Sequence, residues 1–192
     1  MTTKDSASGP PLFGVEDGSF QAFQKEESSS AYLCGVLTES GFIRKVKLAR
    51  IRVDGLDATE KLLGLLEGVE AEAVILGGIT FAGFNVVDPR RLFKETGIPV
   101  IVYSGTRPDN ERMLAALKGH FVDWRERWEI IGGLGPVHEV TTLPREPTAY
   151  FEVVGGSPEW AEDVLRGSVI VSRIPEPVRV AGLIARGLSP VS

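Results

Sequence analysis

The hydrophobic pattern changes its period after about residue 53, and this change constrains the fold more than any other feature of the sequence. Before it, three segments are typical of strands, over residues 12–16, 31–37 and 42–53. After it, leucines at helical spacing predict a helix over residues 58–69. Because short links join the first three segments, we expect them to form an antiparallel meander.

Strands and helices then alternate to the end of the chain. Strands are predicted at residues 73–76, 99–103, 137–141 and 149–154. Proline next to aspartate or serine is typical of helix starts, and such pairs occur at 88–89, 108–109 and 157–158, with a last helix from about Pro177. This order favours an α/β fold with a central mixed β-sheet flanked by helices. A ribonuclease-H-like fold has this layout, and so do other α/β folds.

The length of the chain predicts one domain. A sequence of 192 residues suffices for one core and is short for two, so we predict a single domain over residues 12–192 behind a disordered tail at 1–11. No apolar run approaches the roughly 20 residues of a membrane span, and the N-terminus lacks the pattern of a secretory signal. The lone Cys34 suits a reducing compartment. We therefore expect a cytoplasmic protein without a membrane partner, and its oligomeric state stays open.

Several classes of site are excluded by motif. The sequence has no phosphate-binding P-loop, no dinucleotide-binding glycine pattern and no cysteine pair for zinc. The net charge of −5 argues against a protein that coats nucleic acid nonspecifically. One basic stretch nevertheless contains no acid and has two interpretations, a phosphate-binding strand or a protected edge strand; its residues are Arg44, Lys45, Lys47, Arg50 and Arg52.

Carboxylates stand at the ends of the predicted strands. Glu16 and Asp17 end the first strand, Asp54 and Asp57 follow the third, and Asp88 follows the strand at 73–76. Acids from separate strand ends can converge on Mg²⁺ or Mn²⁺, which prefer oxygen ligands. Each acid also has a structural alternative: Asp17 and Asp54 suit turns, whereas Asp57 and Asp88 suit helix N-caps.

A glycine-rich segment at residues 77–85 is a candidate binding loop. Its glycines would let the backbone approach a ligand closely, and a flipped base could be held by main-chain groups beside an aromatic ring. The alternative is that the two phenylalanines simply belong to the core. The candidate base-contacting residues are Thr80, Phe81, Gly83, Phe84 and Asn85.

Five motifs together resemble one known family. They lie at residues 14–18, 53–59, 78–88, 97–101 and 173–181, and the resemblance covers about residues 13–187. On these motifs the chain is identified as a member of the endonuclease dU family, which is similar to endonuclease V.

The resemblance implies a ribonuclease-H-like fold, divalent-metal-dependent strand cleavage and DNA containing deoxyuridine as substrate. Residues 14–16 resemble the first-strand Gly-Val-Asp of endonuclease V, so Glu16 would be the first metal ligand, with Asp17 as its competitor, and Asp54 would be the second acid. Endonuclease V has an Asp-Gly motif after its next strand, where this chain has Gly77 and Gly78. Asp88 is the candidate for the third acid.

The resulting hypothesis is hydrolysis of a phosphodiester bond near a deaminated base. Asp17, Asp54 and Asp88 would be catalytic, and together with Glu16 they would bind Mg²⁺ or Mn²⁺. Arg50 and Arg52 would contact DNA phosphates, and the loop at 80–85 would receive the base. The alternatives are a noncatalytic nucleic-acid-binding protein on the same fold and a small-molecule or nucleotide-binding hydrolase.

Overall fold

A seven-stranded mixed β-sheet forms the centre of the molecule in the computed structural model, which describes residues 9–19 and 29–189. The strand order is β3-β2-β1-β4-β7-β9-β8, and a separate two-stranded hairpin pairs β5 with β6. The strands are β1 Leu12–Asp17, β2 Ser30–Glu39, β3 Phe42–Arg52, β4 Ala73–Leu76, β5 Thr80–Phe81, β6 Asn85–Val86, β7 Val100–Ser104, β8 His138–Val140 and β9 Ala149–Val154.

The first three strands form the predicted antiparallel meander. β1 pairs with β2, and β2 pairs with β3, both antiparallel. Ser40 and Gly41 both have positive φ at the β2–β3 link, as a tight hairpin turn requires. β3 lies at the edge of the sheet, which confirms the edge-strand interpretation of the basic stretch.

The middle of the sheet is parallel. β1, β4 and β7 run in the same direction, and β9 and β8 then add antiparallel strands at the other side. All four residues of β4 are buried, as expected for a strand that is covered on both faces. The mixed sheet predicted from the order of elements is therefore confirmed.

Six α-helices flank this sheet, among the described residues, and their starts follow the predicted capping signals in part. Asp88 and Ser157 cap their helices with their side chains, as predicted. The helix predicted over residues 58–69 ends early because Gly68 adopts a left-handed φ of 66°. The helices are α1 Ala58–Leu66, α2 Pro89–Thr96, α3 Asn110–His120, α4 Trp124–Gly132, α5 Pro158–Gly167 and α6 Glu176–Leu188.

The two faces of the sheet carry different helices. Phe13 and Val15 of β1 point into the core that α1 and α2 share with the β5–β6 hairpin. Leu12 points to the opposite face, where α5 and the start of α6 pack. Residues of α3 and α4 pack with the hairpin in a separate cluster. One face of the sheet thus carries the hairpin, and the other carries α6.

The predictions for the N-terminal tail and for the number of domains are not tested by the structure. Residues 1–8 of the predicted tail lie outside the described residues, so disorder at 1–11 and a single domain over 12–192 stay predictions. Among the described residues, no helix combines the length and the apolar character that crossing a bilayer demands.

Candidate functional site

The β5–β6 hairpin is the centre of the candidate site. Sequence reasoning predicted a loop here, because two-residue strands are too short to give an alternating pattern. Its turn has Ala82 at φ 44° and Gly83 at φ 87°. A Cβ added at Gly83 would lie 2.2 Å from Oδ1 of Asp54, so only glycine fits there.

Asp17 and Asp54 converge on this one turn from the ends of two strands. The backbone N–H of Ala82 donates to Oδ2 of Asp17, and the N–H of Phe84 donates to Oδ1 of Asp54 at 2.8 Å. The N–H of Asp54 donates to the carbonyl of Ala82 at 2.9 Å. Asp54 itself adopts a left-handed φ of 56°, an uncommon conformation for a residue with a side chain. The turn therefore joins the two predicted acids.

Glu16 completes a pair of neighbouring carboxylates. Successive strand residues point to opposite faces, so Glu16 lies on the α6 side and Asp17 on the hairpin side. Burial raises the pKa of Glu16 to about 7, and the charge of Asp17 adds to this shift. Burial also raises the pKa of Asp17, while Arg186 on α6 acts in the opposite direction on both acids. Two such acids side by side are a typical setting for a cation.

Gly77 makes room for the longer side chain of Glu16. The N–H of Gly77 donates to the carbonyl of Val15 at 3.0 Å, which places Gly77 beside Glu16 across the β1–β4 pair. A Cβ added at Gly77 would lie 2.0 Å from Oε2 of Glu16. The carboxylate of Glu16 thus occupies the space in which a side chain at position 77 would stand.

Asn85 fastens the hairpin to the start of α1. Its side-chain amide donates to the carbonyl of Arg52 and to Oδ1 of Asp57, and its Oδ1 accepts from the N–H of Ala58 at 3.0 Å. Asp57 holds the N-cap position of α1 but makes no side-chain cap. The predicted N-cap position of Asp57 is confirmed, but its side chain does not cap the helix, because Asn85 reaches the helix start from a different strand.

Arg127 on α4 is a buried residue that sequence reasoning missed. Its guanidinium donates to the carbonyls of Asp54, Gly55 and Phe84 at 2.6–2.9 Å, and it forms an ion pair with Asp123. With both bonds to Asp123, all five N–H donors of the side chain are used. Arg127 therefore holds together the two segments that carry Asp54 and the hairpin turn.

The remaining predicted ligands and phosphate contacts lie around this centre. Oδ1 of Asp88 accepts from the N–H groups of Arg90 and Arg91. Arg50 stacks on Tyr32, and the side chain of Arg52 is 68% exposed. Within residues 9–19 and 29–189, no three His, Cys, Asp or Glu side chains already surround one ion position. The metal role of Asp88 and the phosphate contacts of Arg50 and Arg52 stay predictions.

The predicted base-contacting residues divide into buried and accessible ones. Phe81 and Asn85 are 1% and 0% exposed, so in this conformation they can only support the hairpin. Thr80, Gly83 and Phe84 are partly exposed. The side chains of Phe81 and Asn85 are therefore too buried to contact a base directly. The base-contacting roles of Thr80, Gly83 and Phe84 stay predictions.

A cavity of about 590 Å³ lies beside the hairpin, and sequence reasoning did not find it. Thr80 and Phe84 line it together with Val102 of β7 and Glu152 of β9. Glu152 pairs directly with Val102 in the sheet and is 6% exposed. Burial raises the pKa of Glu152 to about 7. A buried glutamate on a strand is unusual. The sequence did not reveal it because the residues around Glu152 come from distant elements and form no local pattern.

Replacing Glu152 with glutamine should stabilise the protein at alkaline pH. Because the folded pKa of Glu152 lies above the usual value of 4.5, its favourable contribution is complete below pH 4.5 and is lost as the pH rises to about 7. After allowance for solvent in the cavity, ionisation costs about 2 kcal/mol of the free energy of unfolding. The melting temperature of Glu152→Gln should exceed that of the wild type by about 4–8 °C at pH 8.

The comparison at acidic pH provides the internal control. Near pH 4.5 the glutamate is neutral, so the two melting temperatures should approach each other. Glu129→Gln, at an exposed position of α4, should change neither value. An equal difference at both pH values would contradict the assignment of Glu152 as a buried titrating group.

The order and pairing of the strands define a class of fold, a ribonuclease-H-like α/β protein. The structure matches endonuclease V of Ciona intestinalis, solved in complex with a 23mer DNA containing an inosine followed by a ribo-adenosine. The TM-score is 0.61 at 14% identity, and the match covers 93% of this chain and 84% of that chain. Human ENDOV matches with a TM-score of 0.60 at 14% identity, covering 93% and 83%. The predicted fold is confirmed.

The family is shown by sequence. The family model of endonuclease dU matches residues 11–189, and the chain belongs to the endonuclease dU family, as predicted. A UPF0215 protein of Methanothermobacter thermautotrophicus is 38% identical over 183 residues, which are 93% of this chain and 87% of that protein. A protein of unknown function from Archaeoglobus fulgidus has a crystal structure that matches with a TM-score of 0.79 at 31% identity, covering 91% and 95%.

Proposed function

We propose that this protein is a divalent-metal-dependent endodeoxyribonuclease that hydrolyses phosphodiester bonds in DNA containing deaminated bases, above all deoxyuridine. The observation that carries the proposal is the convergence of Asp17 and Asp54 on one turn. They come from the ends of β1 and β3, and they bind the N–H groups of Ala82 and Phe84. Acids gathered in this way from separate strands suit a reaction at a bound cation.

The oxygen donors of the acids suit a hard divalent cation, which would have to draw them together, since within residues 9–19 and 29–189 no three acids surround one position. Glu16 and Asp17 are buried neighbours, and the charge of Asp17 raises the pKa of Glu16, so a cation near the end of β1 would relieve the repulsion. The cation would be bound by carboxylate oxygens alone, which suits Mg²⁺ or Mn²⁺. Glu16, Asp17 and Asp54 would hold the ion, with Asp88 as a further candidate. When bound, the ion would lower the pKa of water and stabilise the leaving oxygen.

The surroundings of the acids support a nucleic-acid substrate. Arg50 and Arg52 lie on the exposed edge strand β3, which ends two residues before Asp54. Guanidinium groups in such a position suit phosphates along a DNA strand. The family description names deoxyuridine, and the structural match in complex with DNA contains an inosine, which is also a deaminated nucleoside. Thr80, Gly83 and Phe84 on the hairpin would face the base.

A nicking assay with two acid variants tests the proposal. Asn at position 17 or 54 keeps an oxygen for the turn N–H but removes the negative charge. We expect Asp17→Asn and Asp54→Asn to lose nicking of uracil-containing oligonucleotides by more than about 100-fold, because even residues that only support metal ligands cost 10- to 100-fold. Labelled strands with uracil, hypoxanthine or no lesion are incubated with Mg²⁺, Mn²⁺ or chelator.

Matched Asp-to-Asn changes separate catalysis from folding. Asp163→Asn, at an exposed position of α5, should nick at the wild-type rate. Asp88→Asn retains a good N-cap residue, so a loss of activity in this variant would report a metal role rather than a lost helix cap. Circular dichroism melting curves verify that each variant is folded.

The outcomes distinguish the alternatives. Full activity in both Asp17→Asn and Asp54→Asn would overturn the proposed site. A folded wild-type protein that binds oligonucleotides without cutting them in any metal would instead be a noncatalytic binder. Stabilisation by deoxyuridine monophosphate, with none by oligonucleotides, would indicate a small-molecule protein.

A further inference from the structure

The cavity beside the hairpin has the size and lining of a small-molecule site. Its volume of about 590 Å³ lies within the roughly 300–1,000 Å³ that ligand pockets occupy. Ile79, Val102 and Met113 supply apolar walls, and the ring of Phe84 forms a further part of the lining. Phe84 is held by Phe121, whose ring centroid lies 5.3 Å away. A flat, largely apolar ring would fit against these surfaces.

Glu152 is the polar group in this lining that lacks an explanation within the protein. The residue is 6% exposed, and within residues 9–19 and 29–189 no fully buried side-chain oxygen lacks a partner. Since its carboxylate makes no hydrogen bond or ion pair there, the carboxylate oxygens are accessible from the cavity. A carboxyl on a largely buried residue that opens into a cavity is placed to bind a ligand there. A ligand with an N–H donor would supply the missing partner.

Within the described part of the chain, the other charged residues of the lining form no ion pair with Glu152, whose pKa is raised by burial alone. Arg107 lies 3.6 Å from Glu139 in an exposed ion pair. Asp109 accepts a hydrogen bond from the N–H of Arg112 at the start of α3. These three residues and Glu152 are the ionisable groups that line the cavity. The carboxyl of Glu152 is therefore left for a ligand.

We propose that Glu152 is the specificity-determining residue of a nucleobase-binding cavity, where it pairs with a ring N–H and the adjacent carbonyl of uracil or hypoxanthine. The neutral carboxyl can donate its O–H to the base carbonyl while its second oxygen accepts the ring N–H. The ionised form keeps only the second of these bonds and places its charge beside the base carbonyl.

This inference rests on the proposed function, because the cavity and the acids share the hairpin. The backbone N–H of Phe84 binds Asp54, while the side chain of the same residue lines the cavity. A base that enters the cavity would thus be one residue away from the candidate metal site. The contact with Glu152 would select which base can be held there.

A binding experiment in chelator tests the inference without requiring cleavage. The probes are 2′-deoxyuridine and its N3-methyl derivative, which lacks the ring N–H, titrated by NMR at pH 6 and pH 8. We expect the wild type to bind the methyl derivative roughly 10- to 100-fold more weakly at pH 6. Its binding of deoxyuridine should weaken about tenfold between pH 6 and pH 8, as a carboxyl with a pKa of about 7 loses its proton.

Two substitutions distinguish recognition from packing. Glu152→Gln keeps both a donor and an acceptor at every pH, so it should bind deoxyuridine equally well at pH 6 and pH 8. Glu152→Leu should bind roughly 10- to 100-fold more weakly than the wild type at pH 6 while remaining folded. If Glu152 only supported the fold, replacing it with glutamine would not abolish the pH dependence of deoxyuridine binding. Any pH dependence that Glu16 and Asp17 add is common to all three proteins, so the additional change seen in the wild type reports Glu152.

The results separate failure of the inference from failure of the proposed function. Equal binding of the N3-methyl probe, unchanged binding by Glu152→Leu, or no binding of deoxyuridine up to about 10 mM would overturn the inference. An unchanged kcat/KM for uracil-DNA nicking in both Glu152 variants would also overturn the inference, but the proposed nuclease function would stand. Glu152-dependent binding with no nicking in any metal would leave the inference standing and remove the nuclease.

Discussion

Replacing Arg127 with methionine should lower the free energy of unfolding by about 3–5 kcal/mol, because three hydrogen bonds from a charged group to backbone carbonyls are lost, each worth roughly 1.5 kcal/mol. Arg127 is 4% exposed, and methionine fills a similar volume without any donor. The carbonyls of Asp54, Gly55 and Phe84 would lose their shared partner. For a chain of 192 residues, this change corresponds to a fall of roughly 10 °C in the melting temperature.

The control lies two residues away on the same helix. Arg125→Met removes an exposed guanidinium that stacks on Trp124, and it should change the free energy of unfolding by no more than about 0.5 kcal/mol. Arg127→Lys keeps the charge but has only three donors and no planar fork, so we expect it to recover less than half of the loss. Chemical denaturation of the three variants measures these differences. Similar values for Arg125→Met and Arg127→Met would contradict the bridging role.

The pH dependence offers a second measurement on the same ion pair. The hydrogen bonds from Arg127 lower the pKa of Asp123. The stability that this ion pair contributes is therefore complete above the usual pKa of aspartate and is lost as the pH falls through the lower folded value. The destabilisation by Arg127→Met should consequently be smaller in strong acid than at neutral pH.

The elements that sequence reasoning placed well are those specified by neighbouring residues. The meander, the buried strand β4 and the helix starts at Asp88 and Ser157 all follow from periods and capping residues within a few positions. The N-cap position of Asp57 was predicted correctly, but the missing side-chain cap was not, because the partner of the helix start, Asn85, lies on another strand. Helix boundaries depended in the same way on single residues, as Gly68 shows by ending α1.

The site was predictable as a set of acids but not as a geometry. Asp17 and Asp54 were found because each is an acid at the end of a predicted strand. Their joint contact with residues 82–84 was not predicted, because it depends on a hairpin of two-residue strands. Arg127 and Glu152 have ordinary sequence neighbours on α4 and β9. Their importance arises from burial and from partners far along the chain, which a single sequence does not display.

Gly77 illustrates how an apparent departure from a motif can be resolved by packing. The sequence has Gly77 and Gly78 where the resemblance to endonuclease V leads one to expect Asp-Gly. In the structure, Oε2 of Glu16 lies 2.0 Å from where a Cβ of residue 77 would stand. A longer acid on β1 and a missing side chain on β4 therefore bring a carboxylate to the same edge of the sheet. This exchange predicts that positions 16 and 77 depend on each other.

Gly77→Ala should consequently reduce uracil-DNA nicking by about 100-fold or more, while lowering the melting temperature by only a few degrees. The added methyl group displaces the flexible end of Glu16 rather than backbone, so the activity suffers more than the fold. Gly64→Ala on α1, where no atom lies within 4 Å of the new Cβ, is the matched control and should retain full activity. Calorimetric Mn²⁺ titration checks whether metal affinity falls together with nicking.

A double-mutant cycle with Glu16→Asp tests the dependence directly. In the wild-type background, shortening Glu16 withdraws its carboxylate and should reduce nicking and Mn²⁺ affinity by about 10- to 100-fold. In the Gly77→Ala background the same change relieves the collision with the new methyl group, so it should cost little or restore activity. Losses that simply multiply in the double variant would show that the two positions act independently, and the exchange between β1 and β4 would then be rejected.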